Sequence, residues 1–89
     1  MRHAGAATLE RLEPLLAEIR ALGGGLVERK RGIWYRRGRA FLHLHEDGDG
    51  AFADLRTGVD FERFRVETRA ERLAFVRRVG ALLDVLDEG

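Results

Sequence analysis

Glycine divides the middle of this chain at intervals too short to carry a helix. Gly32, Gly38, the Asp47–Gly50 segment and Gly58 separate five β-prone runs, residues 26–31, 33–37, 39–46, 51–56 and 61–66. Glycine supplies the positive φ that tight hairpin turns need, so runs this short predict successive hairpins, an antiparallel meander of four or five strands.

On either side the apolar period becomes helical. Residues 9–22 place Leu12, Leu15, Leu16, Ile19 and Leu22 on one face, and Gly23, Gly24 and Gly25 stop the helix. Pro14 is comfortable only in a first turn, where its missing N–H has no partner to lose, so regular helix is expected to begin nearer residue 11. Thr68 followed by Glu71 makes a capping box. Leu73, Val76, Val79, Leu83 and Leu86, widened by Phe75 and Leu82, then predict a helix over 69–87. Gly80 costs that helix about 1 kcal/mol relative to alanine, which close packing against the sheet would explain. The fold class is therefore α+β: helix, meander, helix, with both helices on one face of the sheet. A chain of 89 residues has room for one core, so residues 1–89 are read as a single domain with 1–8 a loose N-terminal segment.

Composition narrows the function classes. Cysteine is absent, which removes disulfides, thiolate metal sites and cysteine nucleophiles; serine, asparagine and glutamine are absent too, and Lys30 is the only lysine among 16 cations. Such arginine-rich, amide-free usage is found in heat-adapted or high-GC chains. No stretch approaches the roughly 20 apolar residues that span a bilayer, and residues 1–8 have no signal-peptide core, so the expected location is the cytoplasm, with no membrane partner. A formal net charge of +1 implies no bulk attraction to polyanions, so any basic site must be local.

The run Ala40–His45 has to serve two faces. Alternation sends Ala40, Leu42 and Leu44 one way, under the helices, and Phe41, His43 and His45 the other. A turn at Asp47 and Gly48 sets Phe52 beside His43 and Asp54 beside Phe41; a turn at Asp49 and Gly50 changes the partners and keeps the faces. Turns at Arg37-Gly38 and Arg31-Gly32 pair Trp34 with Phe41 and Arg29 with Trp34. The outer face then reads Arg29, Trp34, Arg36, Phe41, His43, His45, Phe52 and Asp54, which is the expected binding surface. In the last run Phe61, Phe64 and Val66 fit no single parity, so its register stays open and a bulge or longer turn is expected.

Several chemistries can use such a face. His43 and His45 share one side of a strand, a zinc-ligand spacing, with Asp54, Glu46, Asp47 and Asp49 as nearby carboxylates; zinc is the metal such a pair would take, a third ligand is missing, and no cofactor is expected. The stretch His43-Leu-His45-Glu-Asp47-Gly48 resembles the His-x-His-x-Asp-His motif of metallo-β-lactamase-type hydrolases, but Gly48 stands where the last histidine belongs and the chain is far too short. The Asp-Gly-Asp-Gly turn lacks the carboxylates of an EF-hand loop. Arg29, Lys30, Arg31, Arg36, Arg37 and Arg39, interleaved with Trp34 and Tyr35, put cations and rings on one hairpin, a nucleic-acid pattern for which an arginine-rich sheet edge is the preferred explanation. Residues 37–44 overlap the aromatic strand of RNA-recognition motifs, but Arg39 and Leu44 replace its rings. No nucleophile is evident, since Thr8, Thr57 and Thr68 fall at caps and turns, so catalysis is left open without support from these residues.

Residues 28–47, continued by Ala53-Asp-Leu-Arg and Phe61-Glu-Arg-Phe-Arg-Val, resemble small bacterial proteins that carry an arginine-rich hairpin and a Phe-Leu-His-x-His-Glu-Asp strand. The resemblance implies no activity. The reading that uses most of these residues is a small binding or interaction domain whose outer sheet face meets a second copy or another protein.

Overall fold

The computed structural model describes residues 2–88. In chain order the elements are β1 (Arg2–His3), α1 (Ala6–Arg11), α2 (Glu13–Leu22), β2 (Leu26–Lys30), β3 (Ile33–Arg36), β4 (Arg39–Asp47), β5 (Gly50–Arg56), β6 (Phe61–Arg65) and α3 (Arg69–Glu88). Strands β2 to β6 form the expected meander, each antiparallel to the next. The sixth strand was not foreseen. Residues 2–8 are not a loose segment: β1 pairs with the end of β4, Arg2 opposite Glu46 and His3 opposite His45. Glu46 fastens this segment by accepting from the Gly5 N–H at 2.6 Å and from Arg2 at 2.7 Å.

The first helix is two. Pro14 has no N–H to give Glu10, so the chain breaks at Leu12 (φ −91°, ψ 8°) and α2 restarts with the proline in its first turn. Gly23, Gly24 and Gly25 all take positive φ and end α2 as expected. The Thr68–Glu71 box starts α3: the Thr68 hydroxyl accepts from the Glu71 N–H at 3.1 Å, and the Glu71 carboxylate accepts from the Thr68 N–H at 2.8 Å. Its buried face is Phe75, Val79, Leu82 and Leu83; Leu73 and Leu86, assigned inward from spacing, are at least a third exposed. A side chain at Gly80 would meet Leu22 of α2 only at 3.7 Å, so it is not a close approach to the sheet.

All three helices cover one face of the sheet. Leu12, Leu15, Leu16 and Ile19 join Phe75, Val79, Leu82 and Leu83 and the inward Leu42, Leu44, Ala51, Ala53 and Leu55 in one buried cluster. The β4–β5 hairpin turns at Gly48 and Asp49, so Leu42 faces Leu55, Leu44 faces Ala53, His43 faces Asp54 and His45 faces Phe52. This is two residues from the expected pairing, and because strand side chains repeat every two residues both faces survive. Between β5 and β6 the register is regular, Arg56 opposite Phe61, with the longer turn spanning 57–60. Phe64 and Val66 point to the core while Phe61 faces outward, which is why no single parity fitted them.

Two irregularities overturn part of the expected outer face. The β3–β4 register shifts at Trp34/Tyr35, so Trp34 lies opposite Leu42 rather than Phe41, on the core side, and is 1% exposed. Phe41 is the extra residue of that bulge and is buried. Ala40 lies opposite Tyr35, so it is not on the core face with Leu42. Arg36, two residues from Trp34, also turns to the helix side, where it donates to the Gly24 carbonyl and to Asp87 of α3, each at 2.9 Å. A second shift between Glu28 and Lys30 leaves Arg29 outside the pairing.

Candidate functional site

Of the eight residues expected on the outer face, His43, His45, Phe52 and Asp54 are brought together there. Alternation on β4 and β5, with no bulge between these strands, places them as two directly opposed pairs. Asp54 is the electrostatic centre. It accepts two parallel hydrogen bonds from the Arg63 guanidinium, Nε to Oδ1 at 2.7 Å and Nη2 to Oδ2 at 2.9 Å. Those bonds hold its carboxyl below the ordinary 3.8, against the opposing effect of burial. Burial, reinforced by the neighbouring His45, pushes the His43 imidazole below 6.5, and Asp54 only partly offsets this. At neutral pH the site therefore presents a neutral His43 beside an ionised Asp54 whose charge Arg63 already matches.

The rings are packed on one another. His43 lies 5.8 Å from His45 and 5.2 Å from Phe61 between ring centroids. Nε2 of His45 is 3.2 Å from Asp54 Oδ2 but not oriented to hydrogen-bond it, and both ring nitrogens are buried without a hydrogen-bond partner among the described residues. Guanidinium groups lie over the other outer rings: Arg29 over Tyr35 at 4.3 Å, Arg56 over Phe61 at 4.5 Å, Arg65 over Phe52 at 6.0 Å.

The sequence reading missed His3, which β1 sets directly across from His45 on the same face, and Phe61, Arg63 and Arg65, which β6 contributes. A signal for β6 existed in the inward parity of Phe64 and Val66, and Phe61 disguised it. For His3 there was none beyond the opposite charges of Arg2 and Glu46. His3 adds a third imidazole, yet no three His, Asp or Glu side chains among the described residues converge so as to hold a metal ion. Asp54 is committed to Arg63 and Glu46 to Gly5 and Arg2.

The arginine-rich hairpin divides between the two faces. Trp34 is in the core, Arg31 reaches Glu13 at 2.7 Å, and Arg36 is held by Gly24 and Asp87. Arg29 lies on Tyr35. Lys30, Arg37 and Arg39 make no ion pair among the described residues. The hairpin thus does not present its eight cationic and aromatic residues as one surface. Among the described residues no helix is long and apolar enough to cross a membrane. Compared with known proteins, the chain matches no family model, no curated protein and no solved structure.

Proposed function

We propose that the chain is a small binding domain that works through the helix-free face of its sheet, and that the partner on this face is a second copy of itself. The supporting observation is that face's make-up: Phe52, Phe61, His43, His45, Ile33 and Tyr35 share it, each at least partly exposed, with no helix over them.

Size and charge favour a second copy. Five strands about 4.8 Å apart, each about 3.3 Å per residue over some six residues, make a face roughly 24 by 20 Å. Its projected area, about 480 Å2, is enlarged by side chains toward the ~800 Å2 that each partner contributes to a standard interface. Arg63 is matched by Asp54 and Arg65 lies 3.4 Å from Glu71, so the cations left to repel between two such faces are Arg29 and Arg56, which lie over Tyr35 and Phe61. An interface at the lower end of that size range predicts a reversible dimer, with guanidinium groups and rings stacking across a two-fold axis.

Sedimentation equilibrium from micromolar to millimolar protein tests this. The expected result is a monomer–dimer equilibrium that Phe61→Asp abolishes, since Phe61 is 37% exposed on edge strand β6 and its loss leaves the core intact. A wild-type chain that stays monomeric throughout, or dimerises equally well with Phe61→Asp, contradicts the proposal.

A further inference from the structure

Far from the Gly48 turn, four arginines converge. The β3–β4 turn, the β5–β6 loop and the last turn of α3 surround a cavity of about 190 Å3 whose walls include Arg36, Arg37, Arg39 and Arg56, with Phe41 and Leu86 as its apolar part. Bringing like charges together destabilises a folded chain unless something neutralises them. Asp87 matches Arg36. Arg37, Arg39 and Arg56 make no ion pair among the described residues.

Two of these groups are fixed before any ligand arrives. The Arg36 side chain is only 9% exposed and is held by Gly24 and Asp87. Arg56 donates through Nε to the Ala40 carbonyl at 2.7 Å and through Nη1 to the Val59 carbonyl at 3.1 Å, neutral acceptors that orient the group and leave its charge uncancelled. Arg37 stands at φ 52°, the one non-glycine residue with positive φ among the described residues. That turn position favours asparagine, aspartate or glycine, so an arginine there is explained by its side chain rather than by the turn.

We infer that this cavity is a binding site for a phosphate monoester. Planar guanidinium forks match phosphate oxygens two at a time, and Thr57, also on the wall, brings a hydroxyl. The volume is below the roughly 300 Å3 at which sites for drug-sized ligands begin, so the site takes a phosphate and a small attached group, the latter against Phe41 and Leu86. Arg56 also lies over the Phe61 ring at 4.5 Å, so the site borders the sheet face and is tested on the monomer.

Isothermal titration and amide NMR shifts, recorded at constant ionic strength and at a protein concentration where the chain is monomeric, test it with inorganic phosphate and phenyl phosphate. Saturable shifts are expected at Arg37, Gly38, Thr57 and Gly58, with phenyl phosphate the tighter ligand because of its apolar ring. Arg37→Asn, which suits the turn, and Arg39→Gln should each weaken binding roughly tenfold or more without lowering Tm. A 5′-phosphorylated oligonucleotide compared with its unphosphorylated form separates a nucleic-acid end from a free ester: binding that requires the 5′-phosphate supports the site. The inference is overturned by the absence of saturable shifts, by equal affinity in both variants, or by oligonucleotide binding indifferent to the 5′-phosphate.

Discussion

Trp34 and Phe41 were placed on the outer face by simple alternation, and one extra residue in β4 moved both into the core. A bulge shifts parity without leaving a composition signal, so no count of apolar residues could have found it. The consequence is measurable: Trp34→Ala should cost about 3–5 kcal/mol in denaturant unfolding, as for other buried aromatic truncations. In the unmodified chain Trp34 emission should be blue-shifted and unaffected by dilution, because it reports the core rather than the open face. His43, His45, Phe52 and Asp54 fared better, since β4 and β5 pair regularly and a two-residue error in register preserves faces.

The same residues set the pH response. Asp54 has its folded pKa depressed by Arg63 below 3.8, so the stability it contributes is present above 3.8 and lost as pH falls through the lower folded value. His43 is depressed below 6.5 by burial, so the fold favours its neutral form. Its contribution is whole above 6.5 and declines as pH drops from there toward the folded pKa, because the unfolded chain binds the proton first. Chemical denaturation across this range should show stability falling below pH 6.5, and His43→Gln should flatten that slope. An unchanged slope in the variant would assign the effect elsewhere.

At the scale of elements, boundaries marked by backbone chemistry were legible and those set by tertiary contact were not. The capping box fixed the start of α3, the triple glycine ended α2, and Pro14 dictated the break between α1 and α2. Thr68→Ala should cost about 1 kcal/mol, read as a lowered midpoint in thermal unfolding. Strand β1 is two residues long and exists through Glu46 and the edge of β4, so nothing in its own composition announces it. Gly32 is where turn and packing requirements coincide: φ is 84°, and an added Cβ would lie 2.8 Å from Leu9 Cδ2. Gly32→Ala is expected to destabilise by about 1–3 kcal/mol. A smaller effect than Gly38→Ala, whose site has positive φ but open space, would contradict that packing argument.

For the molecule as a whole, three helices on one side of a five-stranded meander leave a sheet with two unlike faces. One is closed by leucines and alanines; the other carries rings, imidazoles and guanidinium groups. The sequence reading reached this division from the alternation in β4 and missed the contribution of β6, whose outward Phe61 broke the expected parity. Exposed apolar side chains also occur on α3, where Leu73 is 44% and Val85 64% exposed, so association alone does not identify the face used. Isotope-filtered NOEs between labelled and unlabelled copies mixed at millimolar concentration decide between them. The account predicts intermolecular contacts among the ring protons of Phe52, Phe61, His43 and Tyr35. Contacts confined to the Leu73 and Val85 methyl groups, or none at all, would contradict it.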